Sequence, residues 1–253
     1  MDSAAFAERL GLPLRQFEVV ANSALGATMR RITLRFDPEP PFEHVPGQDL
    51  MITVPTADGG VIRRRYTISS RDPEASTLDL DMEIHGNGPG SNWAETAAAG
   101  DMIEGIGPRG VVAIDSDAEQ HLFIGDLSYA PAAFAMAASP SASSTASSTG
   151  FVVIANRTAD RPYERSLSGS EVRWIERDDS DDVIGVLTGI LTDLPRSDRR
   201  HAYVGGEFHL TRGIVQLLAS TGWVPDEITS KPYWRDGQAN AGHGEPSKDP
   251  DPQ

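Results

Sequence analysis

Apolar and polar residues alternate over several short stretches in the first hundred positions. Ile32, Leu34 and Phe36 alternate with Thr33 and Arg35, and Leu50, Ile52 and Val54 repeat the period. The clearest stretch interleaves Leu78, Leu80, Met82 and Ile84 with Asp79, Asp81, Glu83 and His85. A period of two places one set of side chains on one face, so each stretch predicts a strand with one buried side. Asp58-Gly59-Gly60 supplies turn residues ahead of a strand over Val61–Ser70, and Met102–Ile106 and Val111–Ile114 extend the series. Short antiparallel strands at this spacing predict a small barrel over residues 14–116. One helix interrupts them. Gly88-Pro89-Gly90-Ser91 stops the strand, Asn92 and Glu95 suit a capping box for Trp93–Ala99, and Gly100-Asp101 ends it.

After Asp115–Glu119 the rhythm changes. His121–Ile124, Phe151–Ala155, Val172–Ile175 and Ala202–Gly205 are short apolar runs suited to a parallel sheet. Ala132–Ala138, Val183–Thr192 and Leu210–Ser220 carry helical spacing, which predicts an α/β domain over residues 119–237. The Ser-rich stretch Ser139–Gly150 is expected to be a mobile surface loop, and the polar, Pro-rich residues 238–253 a disordered tail. The fold class is therefore β followed by α/β.

Charge and composition narrow the chemistry. A formal charge of −15 disfavours nucleic acid and anionic membrane surfaces, because the long-range field repels phosphates. The chain has no cysteine, which excludes disulfides, thiol nucleophiles and Cys-ligated zinc or iron–sulfur centres. Electrons, if this protein moves them, need a bound organic cofactor. Met1–Arg15 lacks a signal-peptide pattern and no apolar run approaches a membrane span, so the expected location is cytoplasmic. His44, His121, His201 and His209 show no metal-ligand spacing, and Asp178–Asp182 lacks the glycine and distant glutamate of a calcium loop, so no metal site is expected. Trp174 and Trp223 read as packing residues.

Arg64-Arg65-Tyr66-Thr67 lies in the predicted strand 61–70. Arg64 and Tyr66 then share one face, with Thr67 opposite. Such a strand can offer a guanidinium to a pyrophosphate and an aromatic ring to a planar cofactor. The tetrad resembles the R-x-Y-[ST] motif of the ferredoxin-reductase-like superfamily. His85-Gly86-Asn87-Gly88-Pro89-Gly90-Ser91-Asn92-Trp93-Ala94 resembles the H-G-x-G-P-x-S-x-W-A stretch of siderophore-interacting proteins, and its glycines precede a helix start suited to a diphosphate. Gly105–Gly110, Gly125-Asp126, Pro131, Gly205-Gly206-Glu207 and Tyr233-Trp234-Arg235-Asp236-Gly237 continue the likeness.

The resemblance implies a Greek-key FAD-binding barrel followed by a Rossmann-like NAD(P)-type domain. It implies FAD held by Arg64, Tyr66, Thr67, His85, Gly88, Pro89, Gly90, Ser91 and Trp93, with Thr67 near the flavin N5. Trp234 is a candidate to cover part of the cofactor and, equally, a core aromatic. The implied reaction is reduction of a ferric siderophore in the cytoplasm, with electrons from NADH, NADPH or reduced ferredoxin. Lys231, with Arg63 or Arg65, is the candidate basic patch for an anionic ferric chelate; a plain surface lysine is the alternative. The chain departs from the family where Leu127-Ser128-Tyr129 replaces Glu-Thr-Ala, and the predicted α/β domain, residues 119–237, carries no G-x-G-x-x-G fingerprint. A general flavin or ferredoxin reductase, and a non-catalytic siderophore binder, therefore stay open as alternatives.

Overall fold

A computed structural model of the chain describes residues 2–86, 88–110, 112, 114–139, 149–156, 163, 167, 170–176, 182–195 and 197–236. Asn87, Val111, most of the Ser-rich stretch, the acidic run up to Asp181, Gly237 and the 238–253 tail lie outside the described residues. The chain divides into two compact units, Met1–Ala113 and Ile114–Gln253.

The first unit is a closed barrel. Its strands are β1 (Leu14–Ala24), β2 (Met29–Phe36), β3 (Asp49–Pro55), β4 (Val61–Asp72), β5 (Thr77–Glu83) and β6 (Met102–Arg109), in the order β1-β2-β5-β4-β3-β6. All neighbours run antiparallel. The alternation read from sequence is the barrel's inside–outside alternation: Ile32 faces Leu80 and Leu34 faces Leu78, all buried in the core. Their outward neighbours pair by charge, with Arg31 forked onto Asp81 at 2.7 and 2.8 Å and Thr33 donating to Asp79 at 2.7 Å. Such cross-strand pairs fix register as well as adding stability.

Three features differ from expectation. A helix α1 (Ser3–Leu10) precedes the barrel, capped by Asp2 accepting from Ala5 N at 2.8 Å and ended by Gly11 at φ 64°. Its Ala7 packs with Met51 and Ile106. The helix expected over 93–99 is α2 (Pro89–Thr96), which starts four residues earlier and ends three earlier, and Asn92 lies inside it. Extended Gly88 at the N-cap and Pro89 with its preset φ start the helix before any side-chain cap is needed. The strand expected over 111–114 falls partly outside the described residues, at Val111 and Ala113; β6 ends at Arg109, and Val112 and Ile114 lie in no strand.

The second unit is built on β7 (Gln120–Asp126), α3 (Ala130–Ala137), β8 (Thr149–Asn156), β9 (Ser170–Glu176), α4 (Val183–Asp193), β10 (Arg200–Glu207), α5 (Phe208–Ser220) and β11 (Ile228–Trp234). The sheet is parallel, in the order β11-β10-β7-β8-β9. β11 was not foreseen, since Pro232 interrupts its pattern; at the sheet edge a proline breaks no ladder on its outer side. One face of β7 and β10 buries Leu122, Ile124, Ala202 and Val204 with Leu187 of α4 and Ile214 and Leu218 of α5. The opposite face carries a ring stack, with Phe123 and Tyr203 at 5.0 Å and His201 and Tyr203 at 4.7 Å between centroids. This is a Rossmann-like architecture following a barrel. Among the described residues, no helix is long and apolar enough to cross a membrane.

Candidate functional site

In the barrel, β4 places Tyr66 toward the core, and Gly90 at the start of α2 lies against its phenol. A Cβ on Gly90 would sit 2.0 Å from the Tyr66 hydroxyl and 3.6 Å from Arg64 Cγ. Only a glycine lets the helix start approach this closely. Burial pushes the Tyr66 phenol up to about 12, against the opposing pull of Arg64, so it stays a neutral donor. Arg64 donates to the Arg63 carbonyl at 3.0 Å, which leaves the other guanidinium nitrogens to a ligand or to neighbours.

Gly88 gives α2 no side-chain cap, and added bulk at Gly88 would meet nothing within 4 Å. The N–H groups of the first turn are thus presented without a protein side chain in the capping position. That is the donor set a pyrophosphate requires. Ser91 shapes this loop: its hydroxyl accepts from His85 N at 3.2 Å and donates to His85 O at 3.3 Å. Pro89 occupies the first turn of the helix. The far end of α2 is tied to β1 by Asn22, whose amide donates to the Ala94 and Ala97 carbonyls at 2.9 and 2.8 Å. Sequence reading gave Asn22 no role, because the carbonyls it satisfies are more than seventy residues away. Arg64, Tyr66 and the glycine-capped helix start fit FAD by charge and by shape.

Several expected site residues do other work. Trp93 is buried in the barrel core and acts as a packing residue. Arg65 projects from the face opposite Tyr66 and forks onto Asp49 at 3.0 and 2.6 Å, with both side chains largely covered. It is committed to that ion pair instead of standing in an exposed basic patch. Arg63 lies 4.4 Å over the Phe6 ring. Thr67 is buried on the same side as Arg65.

In the second unit, strand order reverses between β7 and β10, since β8 and β9 continue to one side and β10 and β11 to the other. Gly125 and Gly205 are cross-strand partners at this point. Beside them Asp126 is buried and accepts from Ser128 N at 3.0 Å, Ser128 Oγ at 2.5 Å and Glu207 N at 2.7 Å. Burial pushes its carboxyl above the usual range, while the hydrogen bonds from Ser128 and Glu207 oppose that rise. Gly206 adopts φ 118°, and a Cβ there would lie 2.6 Å from the Asp126 carboxyl carbon. Glu207 caps α5 by accepting from Leu210 N at 2.9 Å, and its other oxygen accepts from Asp236 N at 3.4 Å. Asp126 and Glu207 thus tie the carboxyl ends of three strands together. Trp234 is half-buried at the end of β11, where it is the cross-strand partner of Glu207.

Lys231 also departs from expectation. It is 6% exposed, with its ammonium 5.7 Å from the Tyr233 ring centroid, so it is a buried strand residue, neither a surface lysine nor part of an open patch. Among the described residues no group of three His, Asp or Glu side chains could hold a metal ion.

Comparison with known proteins places these features in one family. A family model described as the siderophore-interacting FAD-binding domain matches residues 37–112, and one described as siderophore-interacting protein matches residues 118–237. The chain is 28% identical over 186 residues to a ferric vibriobactin reductase of Vibrio cholerae, covering 70% of this chain and 66% of that protein. It is 23% identical over 157 residues to an NADPH-dependent ferric-chelate reductase of Escherichia coli, covering 62% and 60%. The chain thus spans just under two thirds of the length of these curated relatives. A crystal structure of a siderophore utilization protein from T. fusca superposes with a TM-score of 0.78 at 25% identity, covering 92% of this chain and 96% of that one. With an FAD-binding barrel ahead of a Rossmann-like unit, the chain belongs to the siderophore-interacting protein family.

Proposed function

We propose that this protein is an FAD-dependent oxidoreductase that reduces ferric siderophores and releases Fe(II) in the cytoplasm, taking electrons from NAD(P)H or reduced ferredoxin. The observation that carries the flavin half is the seating of a glycine-capped helix on Tyr66 beside Arg64. Family membership and the reductases among its relatives support the iron half. FAD, when bound, supplies a carrier that accepts a pair of electrons and gives them up singly. The protein's own residues bind and orient. Arg64 and the first-turn N–H groups of α2 neutralise the pyrophosphate, and Ser91 holds the His85–Ser91 loop in the shape that presents them. The Tyr66 phenol remains protonated throughout the physiological range, so it keeps a proton to donate. Fe(III) in the chelate gains one electron, and Fe(II), which siderophores hold weakly, departs. No acid or base is required at the iron.

Anaerobic reduction of the FAD-loaded chain with NADH, NADPH and reduced ferredoxin tests this, followed by mixing with ferric catecholate, hydroxamate and carboxylate chelates. Bleaching of the flavin by one donor and its reoxidation by one chelate class, with Fe(II) trapped by a chromogenic chelator, is expected. A colourless preparation that takes up no FAD refutes the whole reading. A reduced flavin that no ferric chelate reoxidises refutes the iron half.

A further inference from the structure

Gly125 on β7 and Gly205 on β10 leave a floor of bare main chain where the strand order reverses. The carboxyl ends of strands at such a reversal are where open α/β sheets take their nucleotides. Here that place is filled by the chain itself. A Cβ on Gly205 would lie 2.3 Å from Tyr129 Cδ2, and one on Gly125 would lie 2.6 Å from Tyr129 Cδ1. The Tyr129 ring therefore rests directly on both strands, with Tyr233 edge-on at 5.8 Å.

The hydroxyl of Tyr129 makes this seat a poor one. Tyr129 is 3% exposed, and its Oη is buried with no hydrogen-bond partner among the described residues. Phenylalanine would fill the same space without stranding a hydroxyl, so packing alone does not account for tyrosine. An unsatisfied buried hydroxyl weakens the closed position, and swinging the ring out returns the hydroxyl to water. Tyr129 is also positioned to move, because it is the N-cap residue of α3 and makes no side-chain cap bond. The carboxylates of Asp126 and Glu207 stand beside the floor and would repel a phosphate, so the part of a nucleotide that suits it is a flat uncharged or cationic ring.

We propose that Tyr129 is a gate: a pyridine nucleotide enters the switch point by displacing the Tyr129 ring from Gly125 and Gly205. This rests on the NAD(P)H half of the function proposed above and makes Tyr129 the residue that sets affinity for the donor. The two simplest substitutions then act in opposite directions. Tyr129→Ala removes the competitor and tightens binding. Tyr129→Phe removes the stranded hydroxyl, stabilises the closed position and weakens binding.

The test is calorimetric titration of NAD⁺ and NADP⁺ into the FAD-loaded full chain and both variants, with circular dichroism and flavin content as checks of folding. Tyr129→Ala is expected to bind at least about tenfold tighter than the natural chain, and Tyr129→Phe about tenfold weaker, a change of about 1.4 kcal/mol in each direction. Equal affinities overturn the gate. So does the pattern of a purely structural tyrosine, in which Ala loses binding and Phe matches the natural chain. If the alanine variant does not fold, Tyr129→Phe decides alone: it must bind more weakly and melt at a higher temperature. Absence of nucleotide binding in every folded variant also overturns the gate, and dithionite-reduced FAD that still reduces a ferric chelate then leaves the iron reading standing. The expected affinity order without chelate reduction upholds the gate and sinks the iron reading instead.

Discussion

Gly90→Ala sets two elementary effects against each other. Within a helix, alanine at a glycine position is favoured by about 0.4–1 kcal/mol through backbone entropy. Against this, the new methyl would sit 2.0 Å from the Tyr66 hydroxyl and 3.3 Å from Cζ. Relief needs a separation at least about 1 Å greater, and the ring cannot simply rotate away because it packs against the barrel core. Forcing a methyl into a filled space costs about 1–3 kcal/mol. The net expectation is a loss of about 0.5–2 kcal/mol, a fall of several degrees in the melting transition of a unit this size. Because the displaced groups are Tyr66 and the helix start proposed to meet the cofactor, FAD affinity should fall about tenfold. Differential scanning fluorimetry and fluorescence titration of FAD read the two effects. Gly88→Ala is the matched control for the melting measurement, since its Cβ meets nothing within 4 Å and its φ of −72° suits any residue. Adding Tyr66→Phe to Gly90→Ala should recover part of the lost melting temperature, as the clashing oxygen is gone. A Gly90→Ala variant as stable and as flavin-rich as the natural chain would show that the helix start does not rest on Tyr66.

Tyr66→Ala should lower FAD retention by about 1 kcal/mol, the worth of one aromatic face, read as reduced flavin content after gel filtration; unchanged content would displace the flavin from this strand. His121 is held below its ordinary value by burial first and by His201 second, with Asp115 opposing. A folded value below the unfolded one means full stability above about pH 6.5 and loss as pH falls toward the folded value. Melting of the natural chain should therefore fall between pH 7 and 5, and His121→Phe should flatten that slope. Asp126→Asn turns an acceptor of several hydrogen bonds into a group with two donors of its own, and should cost about 1–3 kcal/mol, measured by urea denaturation. A neutral result would mean the strand ends hold without that carboxyl.

The barrel was legible because its strands expose one face, so inside and outside positions differ in polarity at every second residue. Ile32, Leu34, Leu78 and Leu80 could be assigned to the core before their partners were known. The edge strand Ile228–Trp234 was not legible, since Lys231 and Pro232 sit in a strand whose lysine is covered by tertiary contacts and not by its own apolar neighbours. The start of α2 was misread for a related reason. Asn92 and Glu95 make a plausible cap locally, but Gly88 and Pro89 start the helix earlier, at the point where Gly90 meets Tyr66.

The sequence by itself determined the order of the two folds, the flavin-type strand Arg64–Thr67 and the glycine-rich helix start, because each is written in consecutive residues whose spacing carries the chemistry. Tertiary structure alone decided which of those residues face a ligand. Arg65 differs from Arg64 only by one step of a strand, yet that step turns it onto Asp49, sixteen residues back. Lys231 and Tyr129 look like surface and loop residues until β11 and β10 are placed side by side with β7. The physical reason is that charge pairing, burial and the close approach of glycine main chain to an aromatic ring depend on partners distant in sequence, and no local pattern of residues records them.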